Sequence, residues 1–175
     1  MNAFEIDILK AINSYISCDF LDGVFIFIST IGNKGAVWIA IAIGLLFFKK
    51  TRKWGVCASI ALILCLVVGN GILKPVIHRI RPYDVDTGLN IIIPLLDDAS
   101  FPSGHTLAAF AFASAVSRYS RKCLPYLYTA ASLMAISRIY LMVHYPTDVL
   151  GGIVIGIIFG GLAYKITERY WKVND

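Results

Sequence analysis

Long apolar runs, each closed by a short basic segment, set the pattern of this chain. Residues 33–48, 54–74, 102–117, 124–143 and 147–164 are apolar over 16 to 21 positions, which is about 24–32 Å of helix at 1.5 Å per residue. These runs predict five membrane spans. Residues 2–16 differ: Phe4, Ile8, Leu9 and Ile12 recur at helical spacing among charged neighbours. That pattern predicts an amphipathic helix within residues 1–18, lying at the cytoplasmic membrane interface. Residues 19–32 are apolar but short, and they carry Asp19 and Asp22. They read as a short sixth span paired with the next, an even count that would leave both termini cytoplasmic. The fold class is therefore all-α: a polytopic membrane helix bundle in one domain over residues 1–175.

Composition agrees with the pattern. The chain is 58% hydrophobic and 15% charged, with a mean hydropathy of +0.72. Soluble domains are nearer half apolar and a quarter charged. Cys18, Cys57, Cys65 and Cys123 have neither disulfide nor metal-ligand spacing and read as packing residues. The net charge of +5 comes largely from three clusters. Lys49, Lys50, Arg52 and Lys53 form the first, Arg118, Arg121 and Lys122 the second, and Lys165, Arg169 and Lys172 the third. Each sits at the end of an apolar run, as in short cytoplasmic loops. That placement argues against a nucleic-acid partner and for a multi-pass cell-membrane protein with its C-terminus cytoplasmic.

The remaining charges are informative because they oppose that rule. Lys74, Arg79, Arg81 and Arg138 fall at the outer side, together with His105, His144 and Asp148. Arg138 lies inside a span, where a charge costs a few kcal/mol unless it is paired or faces a polar cavity. Four cations, two histidines and a carboxylate thus converge on the outer end of the bundle. Several cations with few carboxylates suit an anion, and Arg matches phosphate oxygens with a bidentate fork. In "PSGH", Pro102 suits the first turn of a helix. The amides of Ser103, Gly104 and His105 would then face a bound phosphate, with Gly104 allowing close backbone approach and His105 beside it as proton donor. In "HYPTD", Asp148 can reach back to His144 Nδ1 and leave Nε2 as a nucleophile. Such a site needs no metal and no cofactor, since the cations neutralise the transferring phosphoryl group.

The three segments "KPVIHRIRP", "PSGH" and "SRIYLMVHYPTD" together resemble the tripartite signature of the type-2 phosphatidic acid phosphatase superfamily. The resemblance covers roughly residues 20–165. It implies a membrane phosphatase acting on a lipid phosphate or diphosphate, with His105 protonating the leaving group and His144 forming a phosphohistidine. Lys74, Arg81, Arg138, Ser103 and Gly104 would hold the phosphoryl oxygens. The small single-domain form is most similar to bacterial undecaprenyl-diphosphate phosphatases; phosphatidylglycerophosphate and phosphatidate phosphatases share the signature. The alternative from another class is a transporter with a phosphate-like site, which would be expected near the midplane with inverted repeats. Outside the signature, His78 and Arg79 read as rim residues, Asp97 and Asp98 as a solvated pair, and the glycines of residues 151–161 as a helix-packing surface. The residues fix no oligomeric state.

Overall fold

The computed structural model describes residues 2–171; Lys172 of the third basic cluster lies outside them. Helices account for the regular structure. They are α1 (Asn2–Ile16), α2 (Asp19–Ile31), α3 (Ala36–Phe47), α4 (Arg52–Leu64), α5 (Lys74–Ile77), α6 (Pro82–Val85), α7 (Gly104–Ser117), α8 (Leu124–Tyr140) and α9 (Pro146–Trp171). A π-helix, Cys65–Leu73, joins α4 to α5 without a break.

The bundle has two chemically distinct ends. One end carries the basic clusters, where Lys53 pairs with Glu168 at 2.9 Å and Arg118 lies over the Tyr164 ring. The other carries His105 and His144. Two stretches, Arg52–Val85 and Pro146–Trp171, are each long and apolar enough to cross a membrane. Asp19–Ile31 and Asn33–Phe47 reach that measure only together, across a 43° bend. α7 and α8, at 14 and 17 residues, span about 21 and 26 Å, short of a bilayer core of roughly 30 Å. The expected five spans and short sixth are therefore matched only in part.

Residues 19–32 alone do not reach the length and hydropathy of a span. α2 begins where the Cys18 N–H meets the Tyr140 hydroxyl at 3.4 Å, and the same hydroxyl donates to Asp22 Oδ1 at 2.5 Å. It ends where a Cβ on Gly32 would stand 2.4 Å from Met134 Cε. Both ends thus touch the last turns of α8, so α2 slants across the site end. Lys34 (φ 52°) and Gly35 (φ 72°) then redirect the chain into α3.

α1 also lies at the site end, not beside the basic clusters. Leu9 is fully buried against Leu89 and Met142, and Lys10 pairs with Asp86 at 2.6 Å. Phe4, Tyr15 and Ile16 stay exposed, as on a helix lying at an interface. The helix expected beside the basic clusters thus packs at the opposite end of the bundle. The contacts that bury its inner face come from the loop after α6 and the turn after α8, both at the site end.

The core forms around α7, whose residues from Thr106 to Ser117 are all buried. α9 packs against it through Gly152, Gly156 and Gly160, which share one face at four-residue spacing. A Cβ on Gly156 would stand 2.8 Å from the Leu107 carbonyl oxygen. Gly156→Val is therefore expected to destabilise the protein by about 1–3 kcal/mol through overpacking. A thermal melt in detergent should show a lowered midpoint; an unchanged midpoint would mean that α7 and α9 separate at no cost.

Candidate active site

The π-helix ends on Lys74, and wide turns of this kind occur often at functional sites. Arg81 precedes α6 in extended conformation, Gly104 and His105 open α7, and His144 stands in the turn between α8 and α9. Lys74, Arg81, Gly104, His105 and His144 line one cavity of about 970 Å³. Ile39, Ile43, Leu62, Ile63 and Leu66 line it too, as an apolar wall from α3, α4 and the π-helix.

Arg81 is the centre of the polar end. It is 1% exposed. Its Nη1 donates to the Val143 carbonyl at 2.8 Å and stands 3.4 Å from His144 Nε2. Nε and Nη2 donate to the Asp98 carbonyl and carboxylate at 2.8 and 2.5 Å. Asp98 also pairs with Lys74. The expected solvated Asp97–Asp98 pair is thus corrected for Asp98, whose carboxylate bridges two cations. Burial raises Asp98, but Lys74 and Arg81 outweigh that and hold it below the usual carboxylate range.

A phosphoryl group bound at Lys74 and Arg81 would compete with that carboxylate. Asp98→Asn is accordingly expected to lower the inhibition constant for inorganic phosphate by roughly fivefold, the scale of one exposed ion pair. Weaker phosphate inhibition in that variant would contradict this arrangement.

His144 is 1% exposed, and its two ring nitrogens face different groups. Nε2 faces Arg81. Nδ1 is 3.6 Å from Asp148 Oδ2 and 3.4 Å from Ser100 Oγ. The expected direct Asp148–His144 hydrogen bond is longer than such a bond allows. Ser100 stands beside both, donating to Asp148 Oδ2 at 2.5 Å. Burial lowers the His144 imidazole, Asp148 partly restores it, and Arg81 and Arg138 lower it further, to about 3. Its ring is neutral at ordinary pH.

Two site expectations change at the mouth of α7. The helix begins at Gly104 with Ser103 as its cap, so Pro102 precedes the cap instead of filling the first turn. The Ser103 amide donates to the Asp148 carbonyl at 3.2 Å and is not open to an anion. Close packing of α9 causes this, since a Cβ on Gly152 would stand 3.0 Å from the Ser103 carbonyl oxygen. The first-turn amides of Gly104 and His105 have no preceding helical carbonyl to pair with. The Ser103 hydroxyl pairs with Thr106 Oγ1 at 3.0 Å. A Cβ on Gly104 would project to 4.0 Å from Lys74 Nζ, into the space between helix mouth and ammonium.

Arg138 is 1% exposed, with Nη1 bound to Ser29 Oγ and Nε buried without a protein partner. His105 Nε2 meets Asn33 Oδ1 at 3.1 Å. Arg79 is not a rim residue: it donates to Asp148 Oδ1 at 2.5 Å. His78 caps α5 in left-handed conformation and is exposed. Sequence reasoning thus passed over Asn33, Asp98 and Ser100. Among the described residues no three His, Cys, Asp or Glu side chains converge as a metal site.

The helices thus form a membrane protein with a cationic, histidine-bearing cavity beside an apolar wall. Residues 52–172 match the PAP2 superfamily, and the chain belongs to that family. It is a phosphatase acting on lipid phosphates. It is 33% identical over 164 residues to an undecaprenyl-diphosphatase of Sulfolobus acidocaldarius, covering 93% of this chain and 78% of that protein. It is 35% identical over 148 residues to undecaprenyl-diphosphatase BcrC of Bacillus subtilis, covering 85% and 76%. Among solved structures, it superposes on the transmembrane PAP2-type phosphatidylglycerolphosphate phosphatase of Bacillus subtilis with a TM-score of 0.76 at 27% identity, covering 95% of this chain and 86% of that one. LpxE of Aquifex aeolicus follows with a TM-score of 0.71 at 28% identity, covering 91% and 93%.

Proposed function

We propose that this protein hydrolyses a polyprenyl lipid diphosphate, undecaprenyl diphosphate, at the outer face of the cell membrane, through a phosphohistidine on His144. The observation that carries this reading is the cavity itself. Its polar end places Lys74, Arg81, His105 and His144 around one anion-sized space, and its other wall is apolar. A phosphoryl group fits the first and a prenyl chain the second.

In the first step His144 Nε2 bonds to phosphorus as the bond to the leaving oxygen breaks, and His105 gives that oxygen its proton. In the second, water attacks the phosphorus, the N–P bond breaks, and His105 takes a proton from the water. Lys74, Arg81, Arg138 and the amides of Gly104 and His105 stabilise the charge on the phosphoryl oxygens. The Asp148 and Asp98 oxygens are engaged by protein donors, which favours a metal-free reaction. Lys34, at the kink ahead of α3, lines the cavity beside His105 and suits the phosphate that is not transferred.

Orientation follows from charge. The basic clusters at the opposite end suit the cytoplasm, which supports a site facing outside. An impermeant maleimide on intact cells is expected to label the natural Cys18, exposed at the site end, while a cysteine at Thr51 labels only after permeabilisation. The reverse pattern would place the site in the cytoplasm.

The substrate test is phosphate release by purified protein from undecaprenyl diphosphate, phosphatidylglycerophosphate, phosphatidate and lipid A, with and without EDTA. The expected result is fastest turnover of undecaprenyl diphosphate, unaffected by EDTA. The structural likeness to the phosphatidylglycerolphosphate phosphatase supports a second reading, which preference for that glycerolipid would establish. Loss of activity in EDTA, restored by magnesium, would overturn the metal-free mechanism.

A further inference from the structure

Ionic contacts continue beyond Asp148 to α1. Arg79 Nη1 donates to Asp148 Oδ1 at 2.5 Å and to Thr147 Oγ1 at 2.6 Å. Its Nη2 donates to Glu5 Oε2 at 2.5 Å. Glu5 Oε1 in turn accepts the Thr147 amide at 3.0 Å and the Thr147 hydroxyl at 2.7 Å. The Arg79 guanidinium also stacks on the Tyr145 ring, 4.0 Å from its centroid.

Glu5 is unusual for an interfacial helix. It is only 5% exposed, although it sits on α1, and carboxylates are seldom that buried unless paired. Its partners lie far off in sequence: Arg79 at a separation of 74 residues and Thr147 at 142. Leu9 and the Lys10–Asp86 pair fix the same helix to the same end. Arg79 itself follows a left-handed residue, His78, in a stretch without regular structure. The Ser100 amide donates to the Arg79 carbonyl at 2.8 Å and anchors this backbone, and side-chain contacts then aim the guanidinium at Asp148.

We infer that Glu5 and Arg79 are positioning residues, and that α1 is a clamp that orients Asp148, and through it His144, for attack. Asp148 Oδ2 is fixed by Ser100 and by the Tyr145 amide; Oδ1 is fixed by Arg79. With both oxygens held, the carboxylate cannot rotate about its terminal torsion, and the ring it faces keeps one orientation. Glu5 holds the other arm of the guanidinium and shares its charge. Asp148 therefore keeps negative charge for the imidazole ring when Nε2 carries the phosphoryl group. This inference rests on His144 as nucleophile and adds a second anchor to its carboxylate.

The test compares Glu5→Gln, Arg79→Met and the double variant in the full-length purified protein, with nitrophenyl phosphate as substrate. Gln at position 5 keeps an acceptor for Thr147 and removes the charge that faces Arg79. Misplacing a reacting group by about 1 Å can cost on the order of a hundredfold, so Arg79→Met is expected to lower kcat by roughly tenfold to a hundredfold. KM and the inhibition constant for inorganic phosphate should stay within about twofold, because Lys74, Arg81 and Arg138 are untouched. Glu5→Gln should lower kcat by about fivefold alone and have no further effect in the Arg79→Met background, since it acts through Arg79. Arg79→Lys, which keeps the charge, should recover part of the loss.

Wild-type kcat in Glu5→Gln, multiplied losses in the double variant, or a raised KM with kcat kept would each overturn the inference. His144→Ala measured alongside separates the two levels. If that variant turns over, the nucleophile assignment fails; if it is inactive and the kinetic pattern above is absent, only the clamp fails.

Discussion

His144→Ala is expected to reduce turnover by at least about a thousandfold, since removing a nucleophile costs that much or more where its steps cannot be replaced. The variant should still bind inorganic phosphate, because Arg81 is held by Val143 and Asp98 independently of the ring. Phosphate inhibition cannot be read in an inactive enzyme, so the check combines phosphate release with protection against thermal unfolding by phosphate. Near-normal protection with no turnover is the predicted pair. Retention of more than about a tenth of activity, a loss under 1.4 kcal/mol in transition-state stabilisation, would remove His144 from the reaction.

His105→Ala should be severe in a different way. A general acid contributes about a hundredfold to ten-thousandfold, and its contribution falls as the leaving group improves. The variant is therefore expected to lose most activity toward phosphatidate, a monoester whose alkoxide leaves poorly, and much less toward nitrophenyl phosphate or a lipid diphosphate, whose leaving groups are weak bases. Asn33 meets His105 Nε2, so Asn33→Ala should follow the same leaving-group trend with a smaller amplitude. Equal losses on phosphatidate and nitrophenyl phosphate would contradict a proton-donor role and leave His105 as a binding residue.

The sequence carried the cavity's polar end in its residue types. Lys74, Arg81, Gly104, His105 and His144 do line one space, because charges that oppose the positive-inside pattern had to share one end of the bundle. The four-residue glycine spacing likewise announced the α7–α9 contact. What the sequence hid is long-range. Glu5 looked like one charge on an amphipathic helix, and only folding brings it to Arg79 and Thr147. Asp98 looked solvated because its two cations lie 17 and 24 residues earlier. Ser100 reaches Asp148 across 48 residues. The Ser103 amide looked open because helix-mouth logic is local, whereas its acceptor belongs to α9. The π-helix left no periodic signal, since apart from Asn70 and two glycines its residues are apolar.

A covalent phosphohistidine can be trapped directly. Purified protein mixed with radiolabelled nitrophenyl phosphate would be quenched in alkali within milliseconds, digested and mapped by mass spectrometry. Phosphoramidates survive base and hydrolyse in acid, whereas phosphoserine behaves in the opposite sense. The predicted result is one acid-labile phosphoryl group on the peptide containing His144, absent from His144→Ala. Label on another residue, or turnover at full rate with no trapped phosphoenzyme and direct transfer of the phosphoryl group to water with inversion at phosphorus, would contradict it.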